Sequence, residues 1–78
     1  MSNQKTIKPK PGALLKSKQV FYYYNPKNKK IISSPKDSLT IFLKRELSTY
    51  YLFIDGDIVS IYHPGKHFVG YLFDKIDL

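Results

Sequence analysis

The chain has 78 residues, a net charge of +7 and no cysteine. Those values leave room for one small domain, which buries only roughly 60% of its unfolded surface, and they exclude disulfide staples and cysteine-based zinc sites. Its longest apolar run, Leu47 to Ile54, has eight residues including Ser48 and Thr49, far short of the ~20 a membrane helix needs, and the first residues lack the apolar core of a secretory signal. A cytoplasmic, soluble protein is therefore expected.

The charge is unevenly distributed. Residues 1–36 hold nine lysines and no acid, +9, whereas residues 37–78 hold four basic residues and six acids, −2. Mixed signs are usual on a solvated face, so a 36-residue stretch without an acid points to a polyanionic partner, either nucleic acid or an acidic protein surface. The alternative is that lysine simply keeps a small domain soluble. Usage skewed to Lys, Ile, Tyr and Phe, with one Ala and one Arg, matches A/T-rich codons and implies a bacterial or phage source.

Taken in order, residues 1–12 read as a flexible basic arm, because Lys8-Pro9-Lys10-Pro11-Gly12 disfavours helix. Residues 13–78 read as the domain. A first strand is expected over 13–24, ending in the aromatic run Phe21 to Tyr24 and the turn residues Asn25-Pro26-Lys27-Asn28. Alternation places Lys16, Lys18, Tyr22 and Tyr24 on one face and Leu15, Phe21 and Tyr23 on the other. Residues 25–38 read as a loop with room for a short strand at Ile31-Ile32. Leu39 to Glu46 alternates as a strand with Leu39, Ile41 and Leu43 inward and Thr40, Lys44 and Glu46 outward; a short helix is the rival.

Residues 49–62 carry the strongest local signal. Two β-forming runs flank Asp55-Gly56, the signature of a two-residue hairpin turn. That register puts Leu52 against Val59 and Tyr50 against Ile61, and leaves Tyr51, Phe53, Ile58 and Tyr62 on the opposite face. A turn at His63-Pro64-Gly65-Lys66, a strand over His67 to Phe73, and a helical turn or last strand over Asp74 to Leu78 complete the chain. The expectation is an all-β fold of about five short strands, a small barrel or sandwich.

Gly70-Tyr71-Leu72 followed by Ile76, the pair Tyr50-Tyr51, the segment Phe21 to Tyr24 with Pro26, and Lys10-Pro11-Gly12 before Ala13-Leu14-Leu15 together resemble the layout of a Src-homology-3-like small barrel of bacterial or phage type, over residues 12–78. The resemblance implies a five-stranded barrel and a binding role. Phe73 stands where many members have proline, no tryptophan is present, and lysines replace the acidic first loop, so the loop suits a polyanion better than a proline-rich peptide.

Two candidate surfaces result. Lys8, Lys10, Lys16, Lys18, Tyr22, Tyr24, Lys27, Lys29 and Lys30 combine rings that stack on bases with cations that hold phosphates; the same tyrosines could instead be half-buried core residues. Tyr51, Phe53, Ile58 and Tyr62 form an apolar face suited to a larger host or virion protein, or to a second copy. His63 and His67 could meet across their turn as metal ligands, but no third ligand is nearby and they read as exposed loop histidines. Asp55 and Asp57 read as hairpin residues rather than a carboxylate pair. No nucleophile motif or phosphate loop is present, so no enzyme activity and no cofactor are expected.

Overall fold

Asp55 and Gly56 both take positive φ, 51° and 83°, as the tightest hairpin turn requires, and the strands on either side pair in full. The computed structural model describes residues 9–65 and 67–76. Its strands are β1 (Leu14–Ser17), β2 (Phe21–Asn25), β3 (Lys30–Ser34), β4 (Leu39–Glu46), β5 (Thr49–Ile54), β6 (Asp57–Tyr62) and β7 (Phe73–Ile76). They form one antiparallel sheet in the order β3-β2-β6-β5-β4-β1-β7. The β5–β6 register matches the expectation, with Leu52 opposite Val59 and Tyr50 opposite Ile61.

Four expectations about secondary structure and facing are corrected. The first strand, 13–24, is two strands. The chain turns at Lys18–Val20, where the Lys18 N–H donates to the Leu72 carbonyl at 2.8 Å and the Gln19 amide to that of Tyr71 at 3.2 Å. β1 therefore pairs with β4 and β7, while β2 pairs with β3 and β6. Residues 25–38 are not mainly loop: β3 runs from Lys30 to Ser34 beside β2. The connecting turn is held by the Lys29 N–H on the Asn25 carbonyl (2.8 Å) and the Lys27 N–H on the Asn25 side chain (2.9 Å).

In β4, Thr40 and Phe42 face inward, and Leu39 and Ile41 are exposed. The strand has a register shift between Phe42 and Lys44. Leu43 is the extra residue of a bulge, so simple alternation fails across it. Finally, Phe68–Leu72 is an irregular helical turn rather than a strand, with Gly70 at φ 108°. The Tyr71 N–H donates to the His67 carbonyl at 3.1 Å. The last strand starts at Phe73.

The sheet coils around its core. Phe21 on β2 and Phe73 on β7 are separated by four strands in the order, yet their ring centroids lie 4.9 Å apart, edge to face. Phe68 bridges the interior, 4.9 Å from Phe73 and stacked on Tyr50 at 3.8 Å. Leu15, Leu52, Val59, Ile54 and Ile61 fill the rest. Leu15, Leu52 and Phe73 are fully shielded. The turn also claims His63, which is half-buried with its ring 5.9 Å from Phe68 and 6.3 Å from Tyr50; the expectation of an exposed loop residue fails there, because the turn carries Phe68 back over the hairpin.

Serines serve the β3–β4 corner. The buried Ser17 hydroxyl donates to the Pro35 carbonyl (3.0 Å) and accepts the Ser38 N–H (2.8 Å). The Thr40 hydroxyl is buried with no partner among the described residues. No helix among those residues is long and apolar enough to cross a membrane.

Candidate binding surface

Residues opposite each other in an antiparallel pair point to the same side of the sheet, so the register defines rows across the outer face. One row is Ile58 (β6), Phe53 (β5), Ile41 (β4), Leu14 (β1) and Ile76 (β7). Five strands contribute one apolar side chain each. Ile58 is 57% exposed, and Phe53 and Ile41 are exposed beside it. The next row is Ile31 (β3), Tyr24 (β2), Ser60 (β6), Tyr51 (β5) and Lys44 (β4). The Lys44 ammonium sits 5.1 Å from the Tyr51 ring centroid, a favourable cation–ring arrangement.

β2 and β6 pair at Tyr24 and Ser60 and then part. The gap is an open groove of about 230 Å³ lined by Tyr22, Tyr24, Ile31, Thr49, Ser60 and Tyr62. The three tyrosines are exposed, Tyr62 at 73%. All three are open to solvent, unlike Tyr23 and Tyr50 on the inner face. Burial raises the Tyr23 hydroxyl pKa above its ordinary value, with the Asp55 and Asp57 carboxylates adding to the effect.

The lysines do not gather on one side. Lys27, Lys29 and Lys30 lie at the β2–β3 tip, the first two in the turn and the third at the start of β3. Lys27 approaches Asp57 at 3.7 Å, while Asp57 also accepts the Asn25 amide at 3.1 Å. Lys29 and Lys30 have no ion pair among the described residues. Lys16 pairs with Asp37 at 3.7 Å. Lys18 pairs with Asp74 at 3.8 Å and donates to the Gly70 carbonyl at 2.8 Å. Both line a separate groove with Lys36 and Ile76, so they do not frame the tyrosines with which alternation grouped them. Lys10 is exposed near the start of the domain, and Lys8 lies outside the described residues.

The structure therefore brings Tyr22, Tyr24 and Tyr62 together, and sets Phe53 and Ile58 in the neighbouring row with Tyr51 between the two groups. Sequence reasoning missed Ile31, Leu14, Ile41 and Ile76. The pair Ile31-Ile32 was a signal for the first; the others needed the β1–β4–β7 pairing. Among the described residues no cluster of three metal-ligating side chains occurs. No family model, no curated protein and no solved structure matches this chain.

Proposed function

We propose that this chain is a non-enzymatic accessory factor, bacterial or phage-borne and cytoplasmic, that binds single-stranded nucleic acid. The observation that carries the reading is the groove where Tyr22, Tyr24 and Tyr62 converge from β2 and β6; the β2–β3 hairpin that supplies two of these rings carries Lys29 and Lys30 at its tip. Exposed tyrosines stack on bases without regard to sequence, and free lysines hold the phosphates between them. The excess of nine lysines and no acid over residues 1–36 adds a field that draws polyanions in. The reading extends to the fold. The consecutive order β7-β1-β4-β5-β6, with the β2–β3 hairpin inserted between β1 and β4 and a turn before the last strand, supports a Src-homology-3-like small barrel.

The test is an anisotropy titration of a labelled single-stranded oligonucleotide and its duplex at 50 and 200 mM salt. Binding that favours the single strand and weakens steeply with salt is expected. No association with either at the lower salt overturns the reading.

A second reading is docking on a larger host or virion protein. The row Ile58-Phe53-Ile41-Leu14-Ile76 favours it, since four of its five side chains are aliphatic, which offer a base no ring to stack on but suit a protein interface. Loss of a co-purified partner on Phe53→Ser is its expected signature; a partner retained by that variant rejects it.

A further inference from the structure

We propose that the open edge of β3 is a docking site for an extended acidic segment of another protein, which joins the sheet as a further strand. β3 is the terminal strand of the sheet and pairs only with β2. The ladder fixes the direction of its backbone groups. The His63 N–H donates to the Ser48 carbonyl at 2.8 Å, so the alternate residues of β6, Ser60 among them, turn their N–H and C=O toward β2. There Ser60 meets Tyr24. Tyr24 and Tyr22 thus face β6, and their opposites across the hairpin, Ile31 and Ser33, direct N–H and C=O to the open edge. Each offers one donor and one acceptor in line, which is what an added strand pairs with. The edge also lacks the devices that ordinarily blunt one. β3 contains no proline, pairs with β2 without a register shift, and is uncharged at its centre, Ile31-Ile32-Ser33.

Charge selects the occupant. Lys29 and Lys30 stand at the start of β3, and Lys36 lies two residues past its end. All three are exposed, and none has an ion pair among the described residues. No acid occurs between Asn25 and Lys36. A second copy of this chain is repelled. Antiparallel pairing of two β3 edges centred on Ile32 sets Lys29 and Lys30 of one copy close to Lys36 of the other at both ends, and parallel pairing sets Lys30 beside Lys30. The chain's own residues 1–12, with three lysines and no acid, meet the same repulsion. Nucleic acid fits the cations but not the strand, because a phosphodiester backbone has no N–H to give the Ile31 and Ser33 carbonyls. An extended peptide with an uncharged centre and a carboxylate at each end satisfies both the backbone row and the lysines. The proposal does not rest on what the tyrosine groove binds.

The test is an anisotropy titration in low salt, on nuclease-treated protein, with a labelled peptide of sequence Asp-Glu-Val-Thr-Val-Thr-Glu-Asp. Two control peptides accompany it, one with lysine in place of every acid and one with Pro-Pro in place of the central Thr-Val. Binding of the acidic peptide alone is expected, with the proline-interrupted one weaker by about tenfold or more, since it loses hydrogen bonds to the edge. Ser33→Pro removes an outward N–H and leaves the β2 ladder intact; it is expected to lower affinity for the acidic peptide about tenfold. Lys30→Glu with Lys36→Glu is expected to abolish binding of the acidic peptide and admit the lysine-ended one, and serves if Ser33→Pro fails to fold; circular dichroism verifies folding of each. No binding of the acidic peptide at millimolar concentration overturns the proposal. So does equal binding of the proline-interrupted peptide, which marks charge attraction alone, or unchanged affinity in either folded variant.

Discussion

The outer face of the sheet has two halves that differ in both side-chain type and charge. On the β3-β2-β6 side the exposed groups are tyrosines and Ile31, and Lys29 and Lys30 at the hairpin tip have no ion pair among the described residues. On the β6-β5-β4-β1-β7 side the exposed apolar groups are Ile58, Phe53, Ile41 and Leu39, with Leu14 and Ile76 half-buried beside them, and the flanking lysines are paired with acids. Exposed rings suit a nucleotide; a mainly aliphatic row with balanced charge suits a protein. The contrast teaches that one sheet can present two chemistries if its strands come from two hairpins and a separate β1–β4–β7 set.

Both halves depend on one core. Phe73→Ala removes the ring that joins Phe21 on β2 to Phe68. A loss of about 3–5 kcal/mol is expected, read by chemical denaturation, together with loss of the proposed nucleic-acid binding. A small effect would mean the β2–β3 hairpin is not tied to the far edge. Next in size, Tyr22→Ala with Tyr24→Ala should weaken single-strand binding by about 1–3 kcal/mol for each stacked base lost, while a co-purified protein partner is retained. Phe53→Ser should do the reverse, releasing a co-purified protein partner and sparing nucleic-acid affinity. If either variant affects both readouts, the two halves are one surface.

Smaller effects sharpen the electrostatic side. Lys29→Ala and Lys30→Ala should each lower the slope of log affinity against log salt by about 0.7, the value for one phosphate contact on a single strand. Lys16→Ala should leave that slope alone and change stability by less than about 1 kcal/mol, as an exposed ion pair does. The smallest effect is alkaline. The Tyr23 pKa is raised by burial and by Asp55 and Asp57, so the folded state holds the proton more tightly than the unfolded chain. Its contribution is fully present below the ordinary phenol value of about 10 and falls as pH rises through the raised one. Tyr23→Phe should flatten that decline in pH-dependent melting.

Legibility tracked how local the determinants were. The β5–β6 hairpin was readable residue by residue, since Asp55-Gly56 sets the register and alternation does the rest. The break at Lys18-Gln19-Val20 carries no proline or glycine; its cause is the β7-side turn, more than 50 residues away, which receives the Lys18 and Gln19 hydrogen bonds. β3 offered only two apolar residues between lysines and serines. In β4, the Leu43 bulge reversed the inside and outside assignments. Phe68–Leu72 is made of β-forming residues, and only Gly70 hinted at a turn. At the surface, the outward direction of Tyr22 and Tyr24 followed from alternation. Their meeting with Tyr62 did not, because it depends on one β2–β6 pairing, and the grouping with Lys16 and Lys18 dissolved once the strand divided.

The proposed nucleic-acid face is the tyrosine half of the sheet. The direct measurement is residue-resolved amide NMR during titration with a single-stranded oligonucleotide. Shifts confined to Tyr22, Tyr24, Lys29, Lys30, Ile31, Ser60 and Tyr62 are predicted. Shifts centred on Leu14, Ile41, Phe53 and Ile58, or none at all, would contradict it.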